Sequence, residues 1–291
     1  ARVPKRRPHV LREGAARALF GTAAALSIAA VALICLFLLA NGVPAMAEIG
    51  LPEFLFGTTW RPVNDLYGIF PMIVGSLYVT AGAMIVGVPG GLLTALYFSR
   101  FARGRTGSFL RSGVELLAGI PSVVYGFFGL VIIVPFVRLL GPGTGLSVLA
   151  ASLILGIMIL PTVITVAQSA LDAVPARYYE GALALGVDHE HAVFKVVAPA
   201  AASGIMAAIV LGLGRAIGET MAVVMVAGNM PIIPDSLLSG VRTMTANIVL
   251  EMGYAADLHR EALIATGVVL FVFILLITML LNVIRKRGEA R

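Results

Sequence analysis

Crossing about 30 Å of hydrocarbon takes roughly 20 residues of apolar helix. Six stretches of this 291-residue chain meet that length, at about 19–40, 70–98, 114–137, 146–167, 200–227 and 262–284. Nothing constrains the fold more, because lipid has no water to satisfy a stray backbone N–H or C=O, and helices keep those bonds internal. Apolar residues make up 59% of the chain, charged residues only 12%, and the mean hydropathy is +0.99. This excludes an ordinary soluble enzyme and a disordered chain. The expectation is an all-α integral membrane protein with six transmembrane helices. The first run follows a basic segment but is too long for a cleaved signal, so it reads as an anchor. The second and fifth runs are long and glycine-rich, and are expected to tilt or break. Pro121 interrupts the third and should kink it. Cys35, the only cysteine, lies in an apolar run and reads as a small buried hydrophobe, with no disulfide or Cys-based metal site possible.

The net charge of +6 has a topological explanation. Lys and Arg mark the cytoplasmic loops of membrane proteins. Segments 1–17, 99–112, 169–199 and the tail carry sixteen of them, against four (Arg61, Arg138, Arg242, Arg260) on the opposite side. Both termini are therefore expected in the cytoplasm, and no nucleic-acid role is needed. The basic tails could also touch anionic lipid. The long outer loops 41–69 and 228–261, with Trp60 and several prolines, are expected to form a short cap.

Segment 169–199 is too polar to be a span and too regular to be a linker. Pro175 can open a helix, with Tyr179, Ala182 and Leu183 on one apolar side. Gly186 sits where that helix would end. Asp188 can cap a second short helix running to about Val197, and Pro199 closes the segment. The product is a helix–turn–helix knob, read either as a docking surface or as an ordinary interhelical loop.

Glu180-Gly181-Ala182, then Gly186 after three residues, then Val196, Ala198 and Pro199 after nine more, resembles the EAA loop of ABC-importer permeases. Gly181, Val196 and Ala198 depart from that pattern by small or apolar exchanges. The resemblance implies a coupling knob that inserts into a separate ATP-hydrolysing subunit. The chain has no GxxxxGK[ST] phosphate loop of its own, in keeping with a partner that supplies ATP hydrolysis.

Arg215 and Glu219 are the charges inside the fifth run. At four residues apart they would share one helix face. A charge at the bilayer centre costs about 3 kcal/mol or more, so it usually faces a cavity or a partner. One reading is a self-neutralising pair that fixes packing. The other has Arg215 meeting an anionic substrate through its fork of donors, with Glu219 holding the guanidinium and accepting a proton. Gly212, Gly214 and Gly218 permit close approach or a local break. Thr220 and Asn229 could add neutral donors. Ser122 and Tyr125, beside Pro121, could line the pathway or simply bond between helices.

Residues 211–229 and 117–130 resemble the fifth and third spans of phosphate-importer permeases. Segment 241–255 and the run Gly218–Val223 resemble the PstC-type subunits among them. The resemblance covers about 70–285. It implies the six-span fold of a type I ABC-importer permease. One of two permeases of a phosphate (Pst) importer would pair with a PstA-like permease and two ATP-binding subunits, served by a phosphate-binding protein. ATP and Mg would sit on the ATPase, and this chain would hold no cofactor, metal or catalytic residue. The implied divisions are a basic segment 1–17, a first helix and outer loop 18–69, a transport domain 70–285 containing the coupling loop 172–199, and a tail 286–291. The alternatives are a permease for sulfate or molybdate, or a proton-driven secondary transporter using Glu219. An intramembrane enzyme is disfavoured, since no His lies in a span and Cys35 stands alone. His189 and His191, two apart on a helix, should point apart. Asp172 and Arg177 read as solvated charges.

Overall fold

The structure is a computed structural model, which describes residues 8–102 and 104–289. Arg2, Lys5, Arg6, Arg7, Arg103 and Arg291 of the basic segments lie outside the described residues. Helix α1 (Pro8–Ile49) and the short α2 (Leu51–Phe56) lead to a two-stranded hairpin, β1 (Trp60–Arg61) and β2 (Leu66–Tyr67). Helix α3 (Phe70–Leu96) ends in a π-turn, 97–101, and α4 (Gly104–Gly119) follows. Next come α5 (Ser122–Phe128), a π-turn at 129–133, α6 (Val134–Arg138) and α7 (Val148–Asp172). The knob comprises α8 (Ala176–Ala184), α9 (His189–Ala192), a π-turn at 193–197 and α10 (Ala198–Ala200). The chain ends in α11 (Ala202–Gly218), α12 (Met221–Val226), α13 (Met244–Glu251) and α14 (Asp257–Glu289).

Among the described residues, four helices are long and apolar enough to span alone: Ala16–Ile49, Phe70–Phe101, Val148–Asp172 and Asp257–Leu281. The third and fifth runs are not single rods. Gly104–Gly119 and Ser122–Arg138 meet at 101°, far more than a kink, at Ile120–Pro121. Proline forces the residue before it out of helical geometry and gives up its own N–H. The fifth is bent by 71° at Ala201, where α10 meets α11, and it breaks again at Glu219–Thr220.

Helices α3 and α7 form the central pair. Gly82, Gly87 and Gly91 make the contact face of α3, and a Cβ on Gly87 would stand 2.5 Å from Ile159, one on Gly91 2.7 Å from Val163. Small residues let helices in lipid approach until dispersion contacts are made along their length. The core beside them gathers Val79, Ala83, Ile154, Leu155, Met158 and Ile159, with Tyr125, Val223 and Val226 brought in by the broken spans. Helix α1 packs on α14, where Gly42 leaves room for Val268 and the backbone of Ala265.

The two loop regions close opposite ends of this bundle. At one end the knob follows the sequence reading at its first helix and both turns, but the second helix gives way to the π-turn at 193–197, and Pro199 sits within α10 rather than closing the segment. Pro175 precedes α8, Gly186 takes φ 84°, and Asp188 accepts from the His191 N–H at 2.8 Å as the cap of α9. At the other end the predicted cap is present, built from α2, the hairpin and α13. Its core joins Phe54, Trp60, Tyr67, Met244 and Leu263.

Candidate functional site

The break in the fifth span decides what its charges do. Helix α11 ends at Gly218, and Glu219 is extended, with φ −70° and ψ 134°. The two residues therefore do not share a helical face. Among the described residues no carboxylate oxygen lies within 4.0 Å of the Arg215 guanidinium, so the expected Arg215–Glu219 pair is not formed. The i,i+4 argument required an unbroken helix, and three glycines in seven residues do not supply one. Arg215 is exposed on the surface of the single chain and makes one long contact, 3.5 Å, to Thr162 Oγ1 on α7.

Glu219 is instead fixed by its neighbours. Its side chain accepts from the Ala222 N–H at 3.2 Å, in the first turn of α12, where a helix presents unsatisfied donors and positive potential. Its carbonyl accepts from Thr245 Oγ1 at 3.1 Å, a bond from α13 of the cap. Thr220 Oγ1 donates to the Gly218 carbonyl at 3.3 Å. Asn229 stands at φ 53° beyond α12, and its Nδ2 donates to the Val224 carbonyl at 2.7 Å, so that donor is already engaged. Its Oδ1 is buried without a partner. Ser122 is half-buried at the start of α5. Tyr125 is buried, and its hydroxyl donates to the Leu117 carbonyl at 2.7 Å, bracing the Pro121 break. The site thus gathers one cation and two interrupted helices around α7.

The cap holds a polar cluster that the sequence reading passed over. Glu251, 7% exposed, accepts from Arg242 Nη1 at 2.6 Å, from Trp60 Nε1 at 2.8 Å and from His259 Nε2 at 2.9 Å. Arg242 also donates to Asn247 Oδ1 and to the Asn229 carbonyl. Three donors take the place of this carboxylate's water. Sequence spacing could not reveal it, since Trp60 and Glu251 are 191 residues apart.

At the knob end, Glu180, Gly181 and Gly186 are exposed and Ala182 is buried. Leu183 and Leu185 stand 40% and 87% exposed on the rim. Pro199 lies in α10 and is exposed. His189 bonds the Tyr179 hydroxyl while His191 bonds Asp188, so the two histidines do point apart. The N–H of His191, with its ring, holds the Asp188 carboxyl below the usual carboxylate range. Asp172 is engaged, accepting from Ser99 Oγ at 2.5 Å, rather than simply solvated.

An all-helical bundle with interrupted spans and a knob at one end defines a membrane permease of the ABC-importer type. The fold agrees with a chain of the MetNI methionine ABC transporter in an inward-facing conformation, with a TM-score of 0.60 at 20% identity over 79% of this chain and 99% of that one. Residues 87–289 match the family described as binding-protein-dependent transport system inner membrane component, and the chain belongs to that family. It is 35% identical to the probable ABC transporter permease YqgH of Bacillus subtilis, over 99% of this chain and 95% of that protein. It is also similar to proteins named phosphate transport system permease PstC. The one from Mesorhizobium japonicum is 33% identical over 89% of this chain and 85% of that protein. The PstC 1 of Mycobacterium tuberculosis is 35% identical over 79% and 74%.

Proposed function

We propose that this permease subunit carries inorganic phosphate, forming the translocation pathway with a second, PstA-like permease. The carrying observation is Arg215, a cation on an apolar span beside a helix break, with no carboxylate oxygen within 4.0 Å among the described residues. Such a group has to find its counter-charge elsewhere, and a passing oxyanion supplies it. The similarity to proteins named PstC supports phosphate over other oxyanions.

In this reading Arg215 attracts the anion, while Thr220 and Ser122 line its route and Glu219, Asn229 and Tyr125 hold the two breaks around it. Glu219 no longer serves as counter-ion to Arg215, and its second carboxylate oxygen can accept a hydrogen bond from a protonated phosphate. A sulfate dianion has no proton to offer it. The knob, Glu180 to Gly186 with Pro199 behind it, docks on one of two ATP-binding subunits, which bind ATP and Mg. Both termini and the knob lie in the cytoplasm, and a phosphate-binding protein delivers the anion to the cap. The transport domain is 70–285. ATP binding closes the ATPase pair, moves the knob and opens the pathway outward, and hydrolysis resets it.

The test is ATP-driven uptake of labelled phosphate in proteoliposomes holding the full complex, native and Arg215→Gln. Uptake lost in the variant, with the ATPase still bound, upholds the reading. Surviving uptake makes Arg215 structural, and sulfate uptake in place of phosphate replaces the substrate.

A further inference from the structure

The end of α3 grips the last turn of α7 and the knob through four contacts, two to each, that transport by the pathway residues does not use. Ser99 Oγ donates to Asp172 Oδ1 at 2.5 Å. Arg100 Nη2 donates to the Leu171 carbonyl at 3.0 Å, and its guanidinium lies 5.8 Å from the centre of the Tyr179 ring. The Phe101 ring meets His189 edge-on at 4.7 Å. His189 Nδ1 in turn bonds the Tyr179 hydroxyl at 2.7 Å. Three consecutive residues of one helix end therefore touch the last turn of α7, the middle of α8 and the start of α9.

The backbone that presents them is a π-turn, 97–101, closed by the Ala102 N–H to the Tyr97 carbonyl at 2.7 Å. A π-turn adds a residue to the helix and re-aims the side chains beyond it, and such turns concentrate at functional positions. A regular α-helix would rotate Ser99, Arg100 and Phe101 away from one or another of these partners. Arg100 also makes a pair of contacts that a single ammonium point charge copies poorly, since its fork of donors reaches a carbonyl while its centre lies over a ring. Its Nε is buried without a partner, so the residue is held by these contacts rather than by hydration.

From this geometry we infer that Ser99, Arg100 and Phe101 form a clasp that makes α3 move with the knob, with Arg100 as the positioning residue. The chain connects the knob directly to α7 and to α11, and Tyr179 and Val197 of the knob share an apolar core with Ala95 of α3. The clasp adds directed polar and ring contacts to that packing, and α3 lies along α7 through Gly82, Gly87 and Gly91. Displacement of the knob is then delivered to the central helix pair as one body, where apolar packing alone, which is not directional, would let the knob swivel. The inference rests on the knob being the ATPase contact, and it does not depend on which anion is carried.

The experiment uses the full complex with Arg100→Ala and Arg100→Lys. It reads ATP hydrolysis, phosphate uptake per ATP, and amide hydrogen exchange over residues 92–101 in nucleotide-free and vanadate-trapped states. For Arg100→Ala, hydrolysis should stay within about twofold of native while uptake per ATP falls at least about fivefold. The trapping-dependent change in exchange at 92–101, present in the native complex, should vanish, and Arg100→Lys should not restore it. An exchange change that persists in Arg100→Ala overturns the clasp, whatever the uptake. Native complex that takes up no phosphate removes the substrate reading, and the exchange result then decides the clasp alone. If Arg100→Ala does not assemble, Phe101→Leu is read by the same criteria, since it removes only the ring contact with His189.

Discussion

Two arginines of this chain sit in apolar surroundings and are treated in opposite ways. Arg242 has a carboxylate at 2.6 Å, an amide oxygen at 3.0 Å and a carbonyl at 2.9 Å, and the carboxylate is itself shared with Trp60 and His259. Arg215 has one hydroxyl at 3.5 Å. The first has exchanged its water for fixed protein groups and has little left to offer a ligand. The second keeps nearly all its donors free. A cation on a span or in the cap beside it becomes structural or functional according to the partners within its reach, and residue type alone does not decide it.

The largest effect should come from breaking the satisfied side. Glu251→Ala strands Arg242 half-buried without its counter-ion, at a cost of about 3–5 kcal/mol. Thermal unfolding in detergent should show it as a large drop in Tm, and an unchanged Tm would mean the cluster is decoration. Arg215→Gln should do the reverse, cutting phosphate uptake at least about tenfold while leaving Tm close to native. A matching loss of Tm would make the two arginines alike and undo the contrast.

Much of this arrangement could be read from the residues, and the failures have two causes. The knob was legible because its signals are local: Pro175, Gly186 and Asp188 each act on the turn they occupy. The outer cap was legible as a region from its length and composition. The Glu219 break was not placed, because apolar residues continue on both sides of it and the i,i+4 rule assumes the helix it is meant to test. Thr162, Thr245 and the Glu251 cluster were invisible for a different reason. Each acts on a residue far away in sequence, and hydropathy carries no record of which loops meet.

Two smaller tests sharpen the comparison. Trp60→Phe keeps the ring against Tyr67 and His259 but removes one donor to Glu251, and should cost about 1 kcal/mol. That is less than removing Glu251 itself, so the same unfolding assay ranks the members of the cluster. The smallest effect belongs to Asp188, on the exposed knob. A carboxylate whose folded pKa is depressed stabilises the fold above its ordinary value and loses that contribution as pH falls through the lowered one. Amide protection at His191 should therefore persist from neutral pH down through the usual carboxylate range and fade only below it. Asp188→Asn should abolish that pH dependence.

Helix α1 carries a consequence for how the chain tolerates change. At 42 residues it is about 63 Å long, roughly twice the hydrocarbon thickness. None of its most apolar 18-residue window is buried within the chain, against 67% for α7. Lipid asks of a side chain only that it be apolar, whereas a packed neighbour also asks for a shape. Within this subunit, the turns of α1 in that window are free to exchange Leu, Ile, Val and Phe over generations without disturbing a packed neighbour. The α3–α7 seam can drift only in matched pairs, and Gly87 and Gly91 cannot drift at all without pushing the two helices apart.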